Sequence, residues 1–274
     1  ASSDGENNTI ISDSDNIDKN NDNISNDTDT DNENQLPEFT NPLTGLPCDE
    51  ATLTRRPIAI MINNIKQAIP QHGISEADII YECIVEGGIT RLMAIYSAYD
   101  TLPLIGSVRS SRDYYIDIAQ SHDAIYAHCG GSEDAYDTIA SRNIDNIDGV
   151  LGSYTESTMY WKDSERVQTM GYEHASMTNG ENISEAIKNL GFRTEITEGF
   201  SQPLIFNKSD LDIDGEPANS VTVTYSFYAQ SFFLYDTEKK EYFKGQYGDA
   251  HIDANTNETL TFKNIIILGA VYTN

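Results

Sequence analysis

A single run, Ile58-Ala59-Ile60-Met61-Ile62, constrains the fold more than any other part of the chain. Five apolar residues without alternation, opened by Arg56-Pro57 and closed by Asn63-Asn64, leave no polar face to turn toward water. A strand of this kind is buried on both sides, so it demands a sheet covered by further layers. Its neighbours fit that frame. Asp78 to Val85 and Thr90 to Tyr99 read as two strands joined as a hairpin through Glu86-Gly87-Gly88. Leu104 to Val108 and Asp123 to His128 read as shorter strands, the second closed by Gly130-Gly131. Helices are expected over Asp113 to Ala119, by amphipathic spacing, and from a cap at Ser132 to about Arg142, with Glu133 and Asp134 favourable in the first turn. A third runs from Glu181 to Leu190, with Gly191 as its C-cap. Residues 143–181 read mostly as loop.

From Pro203 the pattern turns to strands. Val221 to Tyr225 alternates with period two, Phe232 to Tyr235 and Tyr242-Phe243 flank a charged turn as a hairpin, and Asn264 to Leu268 reads as one more buried strand. The expected class is an α/β (α+β) domain with a mixed sheet over residues 41–200, followed by a smaller β-rich domain over 201–274. A β domain that stops just after its most apolar strand predicts further residues beyond Asn274.

Residues 1–40 are of another kind. They hold 11 Asp or Glu and one Lys, so they carry −10 of the net charge of −27, and Phe39 is their first aromatic. Such a stretch cannot bury enough apolar surface to offset the entropy of ordering it, which predicts a disordered acidic tether. The remaining 234 residues carry −17. That balance argues against nucleic acid, whose phosphates call for Lys and Arg. It argues equally against a general electrostatic hold on an anionic membrane. No window approaches the ~20 apolar residues of a membrane span. A long polar tether suits a protein held at the membrane by a lipidated cysteine upstream of Ala1, with its body outside the cytoplasm. Cys48, Cys83 and Cys129 form neither a C-x-x-C pair nor an even framework; a Cys83–Cys129 bridge requires adjacent strands, and otherwise the thiols are buried and free.

Three polar strings fall at strand ends or strand-to-helix turns. In Glu86-Gly87-Gly88-Ile89-Thr90-Arg91 the glycines allow a tight turn and close approach of a ligand, with Glu86 and Arg91 bracketing it; the plain alternative is a hairpin turn with a surface ion pair. Ser107-Val108-Arg109-Ser110-Ser111-Arg112-Asp113 offers two guanidinium forks where a strand feeds a helix, which suits a phosphate or carboxylate, or else ordinary helix capping. His128-Cys129-Gly130-Gly131-Ser132 sits where α/β folds place ligands, and His174 is a candidate to join it; the alternative is a structural histidine. The histidines lack H-x-x-x-H or H-E-x-x-H spacing, and no serine lies in a G-x-S-x-G elbow. Asp210-Leu211-Asp212-Ile213-Asp214-Gly215 matches the opening of a calcium loop, but Val221 stands where the twelfth-position Glu belongs, so it reads as an acidic turn. Asp78, Asp210, Asp212 and Asp214 are the weak metal candidates, and no cofactor is expected.

The strings Asn41-Pro42-Leu43-Thr44-Gly45, Ser75-Glu76-Ala77-Asp78-Ile79-Ile80-Tyr81-Glu82, Glu86-Gly87-Gly88-Ile89-Thr90-Arg91, Gly106-Ser107-Val108-Arg109-Ser110 and His128-Cys129-Gly130-Gly131, in that order, resemble the YerB-like lipoproteins of Gram-positive bacteria, a family of unknown function. The resemblance runs from about Asn41 to the end. It implies a lipid-anchored, extracytoplasmic protein with an N-terminal and a separate C-terminal domain. Around His174 the family's Pro-His-Asn string is replaced by Glu173-His174-Ala175. A fainter likeness, in Asp78, Ser107-Val108-Arg109 and residues 127–135, is similar to the LytR-CpsA-Psr phosphotransferases, by analogy only.

These readings converge on a first domain that binds an anionic cell-envelope ligand, such as a wall glycopolymer. Arg91, Arg109 and Arg112 hold the charge, while Glu86, Asp78 and His128 orient polar groups or a metal, with His174 a candidate to join them. One alternative is an envelope phosphotransferase or hydrolase built on the same residues; another is an interaction module whose second domain docks a membrane protein.

Overall fold

The computed structural model describes residues 39–152, 159–207 and 214–269. The expected tether, but for its last two residues, lies outside them, as do Asp210 and Asp212. Chain order within the first half is α1 (Glu50–Thr54), β1 (Ile58–Asn63), β2 (Ile79–Ile84), β3 (Thr90–Tyr96), β4 (Ile105–Gly106), α2 (Asp113–Ser121), β5 (Ile125–His128), α3 (Glu133–Arg142), β6 (Asn146–Asp148), β7 (Trp161–Lys162), α4 (Ser164–Thr169), β8 (Ser176–Thr178) and α5 (Gly180–Leu190). The second half contributes β9 (Ser220–Thr224), β10 (Gln230–Asp236), β11 (Glu241–Gln246), β12 (Asp249–Ala250) and β13 (Thr261–Phe262).

The apolar run is the hub of a five-stranded mixed sheet ordered β2-β3-β1-β5-β6. β1 pairs antiparallel with β3 and parallel with β5, and β5 continues in parallel with β6. All six residues of β1 are buried, and so are all seven of β3. Ile58, Ile60 and Ile62 face one core with Tyr96, Ile125, Ile183 and Ile187; Ala59 and Met61 face another with Ile95, Tyr126, Tyr115 and Ile116. Helix α5 therefore covers one face and α2 with α3 the other. Each fully buried Ile side chain in β1 contributes about 1.5–3 kcal/mol, which is why an unbroken apolar strand settles at the centre.

The described part of residues 143–181, expected to be mostly loop, contains three short strands and α4. The strands β7 and β8 pair with β4 in a small sheet ordered β4-β8-β7. With only two or three residues each, they are too short to show a period. Residues 264–268 form no strand; Ile266, Ile267 and Leu268 are exposed. Their apolar character mimics a core strand, but β13 pairs with β11 only at Tyr242 and Phe243, and residues 264–268 run on past the start of that strand. All three cysteines are free, and a Cys83–Cys129 bridge is ruled out because β3 and β1 separate β2 from β5.

The second sheet, ordered β12-β11-β10-β9 with β13 also on β11, lies against the first half through a buried polar seam. Glu82 of β2 accepts hydrogen bonds from Thr90 Oγ1 at 2.8 Å, Ser231 Oγ at 2.8 Å, Asn64 Nδ2 at 3.2 Å and Gln246 Nε2 at 3.3 Å. Lys244 Nζ stands 3.4 Å from the same carboxylate and donates to Gln246 Oε1 at 2.6 Å and Ser231 Oγ at 3.1 Å. Burial holds the Lys244 ammonium below its ordinary pKa. Two more ties run beside it. His251 Nε2 donates to Gln71 Oε1 at 2.7 Å, and Asp253 accepts from Gly73 N, Ser75 N and Ser75 Oγ.

Candidate functional site

Strand direction collects the polar strings at one edge of the mixed sheet. β1, β2, β5 and β6 all run toward it, while β3 starts there. Asn63, Glu86, Arg91, His128 and Asp148 are consequently neighbours along one rim. Asp78 is at the other end of β2, where it accepts from Ser97 N at 2.6 Å and Asn41 Nδ2 at 3.3 Å, and burial raises its carboxyl pKa. It anchors the turn at residues 41–45 and takes no part in the cluster. Asp214 is exposed, and the described residues hold no group of three His, Cys, Asp or Glu fit for a metal ion.

At this rim β1 and β5 splay, and residues 107–111 wedge between them. Arg109 N donates to Met61 O at 2.9 Å, and Cys129 N donates to Arg109 O at 3.0 Å. Ser107 O accepts from Asn63 N and Gly130 O accepts from Ser111 N. The Arg-rich string is thus an extra rung filling the crevice where strand order switches, a position at which α/β sheets accept ligands.

The fold brings the three predicted arginines close enough to repel one another. Burial, with Arg112 and Arg109 nearby, pushes the Arg91 guanidinium down to about 10. Each has its own counterweight. Arg91 Nη1 donates to Ser110 O at 2.6 Å. Arg112 grips Glu86 with two bonds, Nε at 2.5 Å and Nη2 at 2.6 Å, which lowers the Glu86 carboxyl pKa. The ion pair across the glycine turn is therefore Glu86–Arg112, and Arg91 is buried behind it. Gly87 and Gly88, at φ +71° and +72°, let the turn reverse tightly enough to present Glu86 to Arg112. Arg109 donates through Nη2 to the Glu173 carboxylate and through Nη1 to the Glu173 carbonyl at 3.3 Å.

The two histidines part company. His128 is fully buried, with Nδ1 2.8 Å from Gly130 O and Nε2 3.3 Å from Asn146 Oδ1, and burial lowers its pKa. It braces the turn from β5 into α3. His174 stands at the rim beside Arg109, its Nδ1 accepting from Asn63 Nδ2 at 2.8 Å. Burial and the Arg109 charge lower its pKa as well.

A cleft of about 700 Å³ opens beside the wedge. Its polar wall includes Arg109, Ser110, Lys162, Glu173 and Ser176, while Val150 and Leu151, both largely exposed, supply an apolar lip. Lys162 donates to Ser176 Oγ at 2.7 Å and sits 4.2 Å from the Tyr172 ring centroid. Arg91, Arg112 and His128 do not line it. Two contributors, Lys162 and Asp148, fall outside the residues that sequence reasoning singles out. The buried Asp148 carboxylate accepts from Gly130 N, Val150 N, Leu151 N and Tyr136 OH, all within 3.1 Å. It sets the shape of the cleft's floor and lip. Its sequence context carries no distinguishing signal, since Ile147-Asp148-Gly149 reads as one more acidic turn.

A family model described as "Protein of unknown function (DUF3048) N-terminal domain" matches residues 43–193, and the corresponding C-terminal domain model matches residues 221–274. The chain is 31% identical over 233 residues to "Putative lipoprotein YerB" of Bacillus subtilis (strain 168), covering 84% of this chain and 66% of that relative, just under two thirds of its length. It is also similar to the crystal structure of the YerB protein from Bacillus subtilis, with a TM-score of 0.70 and 27% identity, over 82% of this chain and 72% of that one.

Proposed function

The chain belongs to the DUF3048 family of proteins of unknown function, and from that premise we propose that its first half binds an anionic cell-envelope glycopolymer in the cleft beside the wedge. We place the protein outside the cytoplasm on an N-terminal lipid anchor, as the name of its relative suggests. No helix among the described residues is long and apolar enough to cross a membrane. One observation carries the binding reading: two cations, Arg109 and Lys162, share a 700 Å³ cleft with Ser110 and Ser176 at the sheet's switch point. A local cationic site of this kind works within an acidic body, because ligands respond to nearby charge more than to the total.

Transfer or hydrolysis at the same place needs a metal or a positioned carboxylate–histidine pair. Asp78 is at the opposite edge, Glu86 is engaged by Arg112, His128 is sealed from solvent, and the adjacent Glu173 and His174 are held by Arg109 and Asn63, which favours binding over chemistry. Docking of a membrane protein on the second sheet draws support from exposed Phe227 and Tyr228 at the turn between β9 and β10.

The test is retention on purified wall glycopolymer. Arg109→Ala with Lys162→Ala is expected to weaken binding at least ten-fold, about 1.4 kcal/mol, and Arg112→Ala far less. Unchanged retention by the double variant refutes the reading. Loss on Phe227→Ala with Tyr228→Ala, of a membrane-protein partner captured by crosslinking, would point to the second sheet.

A further inference from the structure

We infer that Glu173 is a built-in counter-ion which an incoming ligand must displace from Arg109, and that this makes the cleft select multiply charged phosphate-type oxyanions over monocarboxylates. The inference rests on the cleft being an anion site, as proposed above.

Glu173 occupies two donors of Arg109, the guanidinium that lines the cleft, one through its carboxylate and one through its carbonyl. The two partners differ in exposure. The Glu173 side chain is 64% exposed and that of Arg109 24%. The carboxylate can turn outward and recover its hydration at small cost, whereas the guanidinium is the more enclosed of the two. The neighbouring pair differs in kind, since Glu86 holds Arg112 through both carboxylate oxygens and lies outside the cleft. A two-point grip of that sort is the stronger lock. The backbone under Glu173 has a fixed point as well, because the next residue, His174, is tied to Asn63. The side chain therefore swings without moving the turn.

Exchange then follows charge arithmetic. A monocarboxylate replaces one carboxylate with another and gains nothing at Arg109. A pyrophosphate or phosphate-ester oxyanion brings more negative charge to Arg109 than the single carboxylate it displaces, in a cleft that Lys162 also lines. Arg109 keeps the Glu173 carboxyl below its ordinary pKa, so this competitor is charged at neutral pH.

The test is calorimetric titration of the whole chain with sodium pyrophosphate and, separately, sodium acetate at low salt. Wild type, Glu173→Gln, Arg109→Ala and the remote control Arg142→Ala are compared. Wild type is expected to bind pyrophosphate and to take up acetate far more weakly. Glu173→Gln is expected to bind pyrophosphate about two- to five-fold more tightly, the range an exposed ion pair supports, and to gain more for acetate. Arg142→Ala should match wild type. If Arg109→Ala loses pyrophosphate while Glu173→Gln binds it no better than wild type, the counter-ion role is wrong and the anion site stands. If wild type binds no pyrophosphate, or Arg109→Ala binds it equally well, the site itself falls and this inference with it. Glu173 is exposed, so an unchanged Tm is expected and separates a binding effect from a folding one.

Discussion

Lys244→Met is expected to be among the most damaging single changes in the protein, although it removes a charge and inserts an apolar side chain of similar length. Lys244 and Glu82 side chains are 3% and 8% exposed, and the ammonium stands 3.4 Å from the carboxylate. Removing the cation leaves Glu82 buried with hydroxyl and amide donors only. Breaking a buried pair in this way costs about 3–5 kcal/mol. Against a total stability of about 5–15 kcal/mol that is a large share. At this chain length it corresponds to a fall in Tm of roughly 6–20 °C. The double variant Glu82→Gln with Lys244→Met removes both charges while keeping the amide's hydrogen bonds, and is expected to recover at least half the loss. The assay is urea unfolding followed by far-UV circular dichroism and by the fluorescence of Trp161, the only tryptophan in the chain. A loss below about 1 kcal/mol for Lys244→Met, or no recovery in the double variant, would refute the idea that the seam is held by charge pairing.

Burial holds His122, His128 and His251 below their ordinary pKa, His251 well below. Below about pH 6.5 the unfolded chain takes up protons that the fold refuses, so stability should fall as pH drops, by about 1.4 kcal/mol per unit for His251 alone. Urea midpoints at pH 7.5 and 5.5 check this, and a flat profile would contradict it. Asp148→Ala strips an acceptor from three backbone N–H groups and from Tyr136; a loss of about 2–4 kcal/mol is expected by thermal melt. Gly245→Ala would drive its Cβ to within 1.8 Å of the Phe232 ring, and about 1–3 kcal/mol of overpacking should appear in the same melt.

The frame of the first half was legible because its signals are long or chemically specific. The β1 run could only be an interior strand, and Ser132 does cap α3 by accepting from Ala135 N. Gly191 does close α5 in the left-handed conformation. The rim cluster was legible through strand ends alone: Glu86, Arg91 and His128 each mark where a strand meets that edge. Which guanidinium faces the cleft was not legible, because it depends on partners far away in sequence, 64 residues for Arg109 and Glu173. Lys162 was missed for a related reason. It lies on a two-residue strand that exists only because β8 pairs with it. Asp78 misled because it occupies the wrong end of the right strand. Residues 264–268 misled because an apolar run does not say where the strand before it stops pairing.

The seam beneath Glu82 has a bearing on how this protein can be cut. Sequence marks a divide between residues 193 and 221, yet the loop that leads from β1 toward β2 is fastened by Asp253 and His251 from beyond that divide. The first half is thus finished by parts supplied near the other end of the polypeptide. A fragment stopping at residue 200 should melt well below the whole chain, so the natural unit for binding experiments or for transplanting the cleft is both halves together.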